Sequence, residues 1–265
     1  MSTRPLSDHW EQGNPYEQYI GRWSRRVAPL FLSWLGQPAG KRWVDVGCGT
    51  GALSTAILDH CSPGSVVGID PSEGFLKLAV QELGIQASFL SGSAAALPLA
   101  DGAGDVIVSG LVLNFIPDLP AALAEMARVA SPGGTIAAYV WDYADKMEVI
   151  RHFWDAAVAV DPAAAPLHEG HRFPLCNPAA LREAFERAGF TQVNTAPLDV
   201  TAVFAGFDDY WRPFLGGQGP APAYAMSLPD ERRAALRAAL QARVPSKPDG
   251  SISLTARAWA IRGST

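Results

Sequence analysis

Cysteine is scarce in this chain: Cys48, Cys61 and Cys176 are the three among 265 residues. None stands in a C-x-x-C pair, so neither a disulfide framework nor a cysteine zinc motif is suggested. Charge is also sparse, at 18% of residues with a net value of -5, and no Lys/Arg run stands out. That argues against nucleic-acid or anionic membrane partners. No uninterrupted apolar run reaches the length of a membrane span. The first residues, "MSTRPLSDHWEQGNPYEQYIG", lack the basic start and apolar core of a signal peptide. No internal repeat or low-complexity tract is evident. The expectation is a soluble cytoplasmic protein. What the chain does have is 48% hydrophobic residues, enough for a globular core.

The apolar residues fall into alternating patterns. Residues 16–35 are predicted helical, with Tyr16, Tyr19, Ile20, Trp23, Val27, Leu30 and Phe31 spaced mainly by three and four. "RWVDVG", "GSVVGID", "IQASFLSG", "GDVIVSG" and "GGTIAAYVW" read as five strands, the last introduced by the turn "SPGG". Helices separate several of them: "GALSTAILDHC", "PSEGFLKLAVQELG" with Ser72 as N-cap and Gly84 as stop, and a segment capped by Asp118 that runs through Val129. Such alternation within residues 41–141 predicts an α/β fold: a parallel sheet covered by helices.

Beyond it, residues 144–160 are predicted helical and "VDPAAAPLHEGHRFPLCNP" irregular. "NPAALREAFERAG" is a helix capped by Asn177 and ended by Gly189. "FTQVNTAPLDVTAVFAG" is an interrupted sixth strand, residues 207–243 hold two helices, and "SISLTARAWAI" is a final strand with Ile252, Leu254, Ala256, Ala258 and Ala260 on one face. We expect a single domain of residues 1–265. Residues 1–40 form a helical cover and 41–141 a ligand-binding core. Residues 142–265 complete the sheet around insertions at about 144–176 and 207–243.

The stretch "WVDVGCGTGALS" carries the chemistry. Gly47, Gly49 and Ala52, with Asp70 about 20 residues on, satisfy the loose dinucleotide pattern. Two details point elsewhere. Gly51 puts the third glycine one residue early. Asp45 lies inside the strand, where a carboxylate is costly unless it meets a cation or donors. A pyrophosphate would add negative charge there; an ammonium group would compensate it. S-adenosylmethionine suits both details. Its carboxylate can sit at the N–H groups opening the helix after Gly51, its ammonium can approach Asp45, and Asp70 can accept from the ribose hydroxyls.

With "VGIDPS", "GSAAALPL", "GDVIVSGLVLNFIPD" and "RVASPGGTIAAY" following in order, the chain resembles the class I S-adenosylmethionine-dependent methyltransferases, small-molecule type 11 group. The resemblance implies a Rossmann-like, doubly wound, seven-stranded sheet with an antiparallel last strand, here 251–262, plus helical insertions. It implies cofactor binding by Asp45, Gly47, Gly49, Gly51, Asp70, Pro71, Ser93, Ala94, Ser109 and Leu111. The loop "SGSAAAL" would hold the adenine, with Ser93 where the family often has an acidic residue. Ser109, Gly110 and Leu111 would border the methionine portion, and Tyr16, Tyr19 and Arg22 of the first helix would approach the cofactor.

The expected acceptor is a small molecule near Asn114, Trp141, Asp142 and Tyr143, which follow the fourth and fifth strands. No catalytic residue is identified from the sequence. His168 and His171 could supply a base, although a solvated loop is the simpler reading; a metal site would need more ligands. Phe153, Trp154, Phe173, Phe207, Tyr210, Trp211 and Phe214 could line an acceptor pocket or form core. Two other readings remain open: an NAD(P)-dependent oxidoreductase, and a non-catalytic S-adenosylmethionine-binding protein.

Overall fold

The computed structural model describes residues 21–217 and 219–265. The expectations for Tyr16, Tyr19 and the Arg22 side chain lie outside the described residues. In chain order the elements are α1 (Arg22–Leu35), β1 (Arg42–Val46), α2 (Ala52–Cys61), β2 (Ser65–Asp70), α3 (Glu73–Leu83), β3 (Ser88–Ser91) and β4 (Gly104–Gly110). Then come α4 (Leu119–Val129), β5 (Ala130–Trp141), α5 (Glu148–Val160), α6 (Glu169–Arg172), α7 (Pro178–Arg187) and β6 (Thr191–Phe204). The chain closes with α8 (Phe207–Trp211), α9 (Pro220–Ser227), α10 (Asp230–Arg243) and β7 (Ile252–Ser264).

Seven strands form one sheet in the order β3-β2-β1-β4-β5-β7-β6. The first five pair in parallel, and β7 runs antiparallel to β5. This is the doubly wound sheet with a reversed last strand. Its central strands are short and apolar because a parallel strand is covered on both faces. Trp43, Val44 and Val46 of β1 and Val106, Ile107 and Val108 of β4 are all buried. Strand order reverses between β1 and β4, so a crevice for ligands is expected outside their carboxyl ends.

Local chemistry sets the helix ends. Ser72 Oγ accepts from Phe75 N at 3.3 Å, Asp118 Oδ1 from Ala121 N at 3.0 Å, and Asn177 Oδ1 from Ala180 N at 2.9 Å. Each satisfies an N–H that the first turn leaves open.

Several boundaries differ from the sequence expectation. β3 starts at Ser88, because Gly84–Gln86 is a 3-10 turn with Ile85 fully exposed. β5 starts at Ala130, upstream of the expected turn "SPGG". Gly104 pairs with Ala130 and Val106 with Thr135, so residues 131–134 form a bulge inside the strand pair. β6 runs unbroken through Pro197; it is an edge strand, with a neighbour on one side alone, which is where a strand tolerates proline. α5 starts at Glu148 and not 144, because Asp142 Oδ1 and the Asp142 carbonyl accept from Asp145 N and Met147 N in a preceding turn. The segment expected to be irregular contains a 3-10 turn, Pro162–Leu167, capped by Asp161, and then α6. Residues 207–243 hold three α-helices.

The described chain divides into two compact units. One comprises residues 24–141, 175–198 and 258–265; the other comprises residues 21–23, 142–174 and 199–257. In the first, Phe31 of α1 packs on Tyr139 of β5, ring centroids 4.7 Å apart. In the second, Phe153 stacks on Phe214 at 4.5 Å, Trp154 meets Tyr224 at 5.5 Å, and Tyr210 meets Phe204 at 5.0 Å. Phe153, Trp154, Tyr210 and Phe214 are almost fully buried, so these aromatics are core residues.

Candidate functional site

The glycine turn runs from β1 into α2 and is tied to β2. Gly47 N and Cys48 N both donate to the Ile69 carbonyl, at 2.7 and 3.1 Å. Gly47 and Gly49 have positive φ, +75° and +55°, a region that costs other residues roughly 1–2 kcal/mol. Their surroundings differ. A Cβ on Gly47 would lie 2.6 Å from Val112 Cγ1, whereas one on Gly49 would meet nothing within 4 Å. Gly47 is therefore a packing glycine, and Gly49 leaves open space beside the backbone. Gly51 opens α2 without a side-chain cap, so N–H groups of the first turn remain available to an anion.

Two acids frame this turn. Asp45 is 1% exposed. Its Oδ2 accepts from Ser54 Oγ at 2.8 Å, and its Oδ1 has no partner among the described residues. Burial pushes its carboxyl up to about 7; the Ser54 hydrogen bond opposes this and the Asp70 charge adds to it. A buried, half-satisfied carboxylate of this kind is a binding group for a cation. Asp70, at the end of β2, accepts from Gly49 N at 2.9 Å through Oδ2 and from Ser72 N at 2.8 Å through Oδ1. Burial raises its pKa while these two N–H groups lower it. Each Asp70 oxygen keeps a second lone pair. Ser54 was not singled out in the sequence; nothing local separates it from the adjacent Thr55, whose hydroxyl donates instead to the Gly51 carbonyl at 2.8 Å.

The remaining predicted residues fall around the carboxyl ends of the same strands. Pro71 is exposed and follows Asp70; Ala94 is half-buried in the loop after β3. Ser93 is exposed, and its Oγ accepts from Ala95 N at 3.2 Å, which makes a small local turn. Ser109 is fully buried, and its hydroxyl donates to the Val46 carbonyl at 2.8 Å, a strut between β4 and β1. Leu111 has φ +63° and donates its N–H to the Tyr139 carbonyl at 2.7 Å. A branched-chain residue so placed is strained, and such strain concentrates at functional sites. Gly110 is packed under Tyr139, whose Oη would lie 2.7 Å from an added Cβ. Asn114 has a buried Nδ2 without a partner among the described residues.

The second unit holds the two histidines. His168 Nδ1 accepts from Gly170 N at 3.0 Å, and its Nε2 lies 3.8 Å from Asp155 Oδ1. Burial and the neighbouring His171 hold its pKa low. Beside it, Glu169 is buried and accepts from Trp154 Nε1 at 2.6 Å. Among the described residues no group of three or more His, Cys, Asp or Glu is arranged to hold a metal ion, and no helix is long and apolar enough to cross a membrane.

Residues 44–138 match the protein family described as "Methyltransferase domain". Over this stretch the chain is similar to a methyltransferase domain. The match takes in the glycine turn, both acids, the loop after β3 and the end of β4. A demethylmenaquinone methyltransferase of Thermus thermophilus is 34% identical over 118 residues, 43% of this chain and 52% of that protein. A malonyl-[acyl-carrier protein] O-methyltransferase of Serratia marcescens is 39% identical over 112 residues, 42% of this chain and 43% of that protein. The chain thus spans about half the length of the curated relatives it matches. Phosphoethanolamine N-methyltransferase 2 of Haemonchus contortus, solved in complex with S-adenosyl-L-methionine, superposes with a TM-score of 0.58 at 13% identity. That superposition covers 95% of this chain and 56% of that one. At that identity the likeness establishes the fold, that of the class I methyltransferases.

Proposed function

We propose that this protein is an S-adenosylmethionine-dependent methyltransferase that acts on a small organic acceptor. The observation that carries the reading is the pairing of an unsatisfied buried oxygen, Asp45 Oδ1, with open space at Gly49. An ammonium group satisfies the first and a close-lying ligand uses the second. The same acid is what a dinucleotide pyrophosphate would be repelled by.

When bound, S-adenosylmethionine supplies a methyl group already activated on a sulfonium. The residues of the chain do the positioning. Asp45 takes the ammonium. Asp70 takes the ribose hydroxyls on its remaining lone pairs while its other contacts hold the turn rigid. N–H groups opening α2 face the carboxylate. Ser93 and Ala94, with Pro71 beside them, border the adenine. Ser109 and Leu111 border the methionine portion through their backbone. Orientation of this kind supplies much of the acceleration in an in-line displacement, because little else is asked of the protein.

The relatives are named for methylation of different acceptors, so the acceptor class is open to direct assay. Calorimetry should show micromolar binding of S-adenosylhomocysteine, and incubation with labelled cofactor and a panel of quinols, acyl carboxylates, amines and phenols should label one of them. Binding of NAD(H) with none of S-adenosylhomocysteine would overturn the reading. Three cysteines in 265 residues, none in a C-x-x-C pair, support a reducing compartment such as the cytoplasm.

A further inference from the structure

The loop after β3 is held by one turn of α4. Leu97 is buried. Its N–H donates to Glu125 Oε2 at 2.7 Å, and its carbonyl accepts from Arg128 Nη2 at 3.0 Å. Arg128 Nη1 reaches the Leu99 carbonyl and Asp101 Oδ1, both at 2.8 Å. The two side chains are also joined to each other, Nε to Oε1 at 2.6 Å and Nη2 to Oε2 at 2.8 Å. Side chains thus offer a donor and an acceptor to both backbone groups of one residue, as a neighbouring strand would.

The chemistry of this clamp is specific to its two residues. A guanidinium presents several fixed donors in one plane, so Arg128 can bind Glu125 and two carbonyls together; a lysine cannot. Arg128 holds the Glu125 carboxyl down at about 2, so the pair is charged across the working range. An exposed ion pair would contribute little, but here Glu125 takes up the N–H of buried Leu97, and Arg128 adds a second donor to the Leu97 carbonyl, which also accepts from Leu99 N at 2.8 Å. Ser93 and Ala94 lie on the free side of the anchor. Their turn closes through Ala96 N to the Ser93 carbonyl at 3.0 Å, one residue before Leu97.

We propose that Glu125 and Arg128 are positioning residues for the nucleoside half of the cofactor: they fix the turn at Ser93 and Ala94 in the shape that meets the adenine. The inference rests on the S-adenosylmethionine reading. The test uses two probes, S-adenosylhomocysteine and 5′-methylthioadenosine, which share the nucleoside but not the amino-acid end. Their dissociation constants are measured by calorimetry on the full chain, well below the thermal midpoint of each variant.

Arg128→Lys and Glu125→Ala should weaken both probes by the same factor, about 5- to 30-fold, the loss of one or two hydrogen bonds' worth of order. Glu125→Gln keeps an acceptor for Leu97 N–H and should recover part of the loss. Asp45→Asn should weaken S-adenosylhomocysteine far more than 5′-methylthioadenosine. Asp101→Asn, at a residue whose side chain is 82% exposed, should stay within twofold of the parent. The proposal is overturned if Arg128→Lys and Glu125→Ala stay folded and bind both probes within twofold of the parent, or if they weaken only S-adenosylhomocysteine. If the parent binds neither probe, the cofactor reading itself fails.

Discussion

Ser54 Oγ donates to Asp45 Oδ2 at 2.8 Å and leaves Oδ1 of the same carboxyl without a partner among the described residues. The acid is thus held in place by one oxygen and offered by the other. Asp45→Asn removes the charge with little change of shape. S-adenosylhomocysteine affinity should fall about 10- to 100-fold, the range for a hydrogen bond to a charged group. Unchanged affinity by calorimetry would remove Asp45 from the cofactor site.

The same carboxyl gives the free protein a defined pH dependence. Its pKa is 3.8 by default and about 7 in the folded chain. Between those values the unfolded state has released the proton and the folded state has kept it, so raising the pH lowers stability. The loss from this group begins near pH 4, ends near pH 7 and reaches about 4 kcal/mol. Asp45→Asn should abolish it, making the variant more stable than the parent at pH 8 than it is at pH 4. Urea unfolding at both values reads the difference. Cofactor affinity should run the opposite way, rising through pH 7 as the carboxylate forms.

Gly47 and Gly49 should respond differently to alanine. Gly47→Ala drives a methyl into Val112 and should cost about 2–4 kcal/mol of stability, from strain and overpacking together. Adding Val112→Ala should return part of that. Gly49→Ala meets no neighbour and should cost only about 1–2 kcal/mol, yet it fills the space a ligand would use. Its signature is a near-normal melting temperature with weakened S-adenosylhomocysteine binding.

Ser109→Ala removes the donor to the Val46 carbonyl. The expected result is a loss of about 1–3 kcal/mol in stability, since a buried carbonyl loses a partner. If only the backbone of Ser109 borders the cofactor, affinity measured below the melting range should stay within about twofold. A much larger affinity loss in a well-folded variant would assign the hydroxyl a direct role.

Legibility in the sequence tracked the range of the forces involved. β4 and the caps at Ser72, Asp118 and Asn177 could be read directly, because an apolar run or a polar side chain and its N–H partner lie within a few residues. The positions of Asp45, Asp70 and the glycines at strand ends and in the turn could be read because a recurrent strand–turn–helix pattern fixes their spacing, even across the 21 residues from Gly49 to Asp70. Ser54 and the Glu125–Arg128 clamp were not legible. Their partners lie 9, 28 and 31 residues away, and only the fold brings them together. Pro197 misled for the complementary reason: it breaks an interior strand, but β6 is at the sheet's edge, a fact of topology. The turn signal "SPGG" was right about bending and wrong about ending the strand pair, which resumes at Thr135.

That bulge at residues 131–134 has a consequence for how the molecule tolerates change. Strand pairing has a period of two, so a one-residue slip normally turns every later side chain to the opposite face. Here the slack is confined between Gly104↔Ala130 and Val106↔Thr135. A residue gained or lost within it need shift nothing beyond Thr135. The opposite ends of β4 and β5, where Ser109 and Leu111 stand and Tyr139 accepts from Leu111, stay in phase. Variation in chain length at one rim of the sheet is thereby insulated from the rim where the proposed site stands.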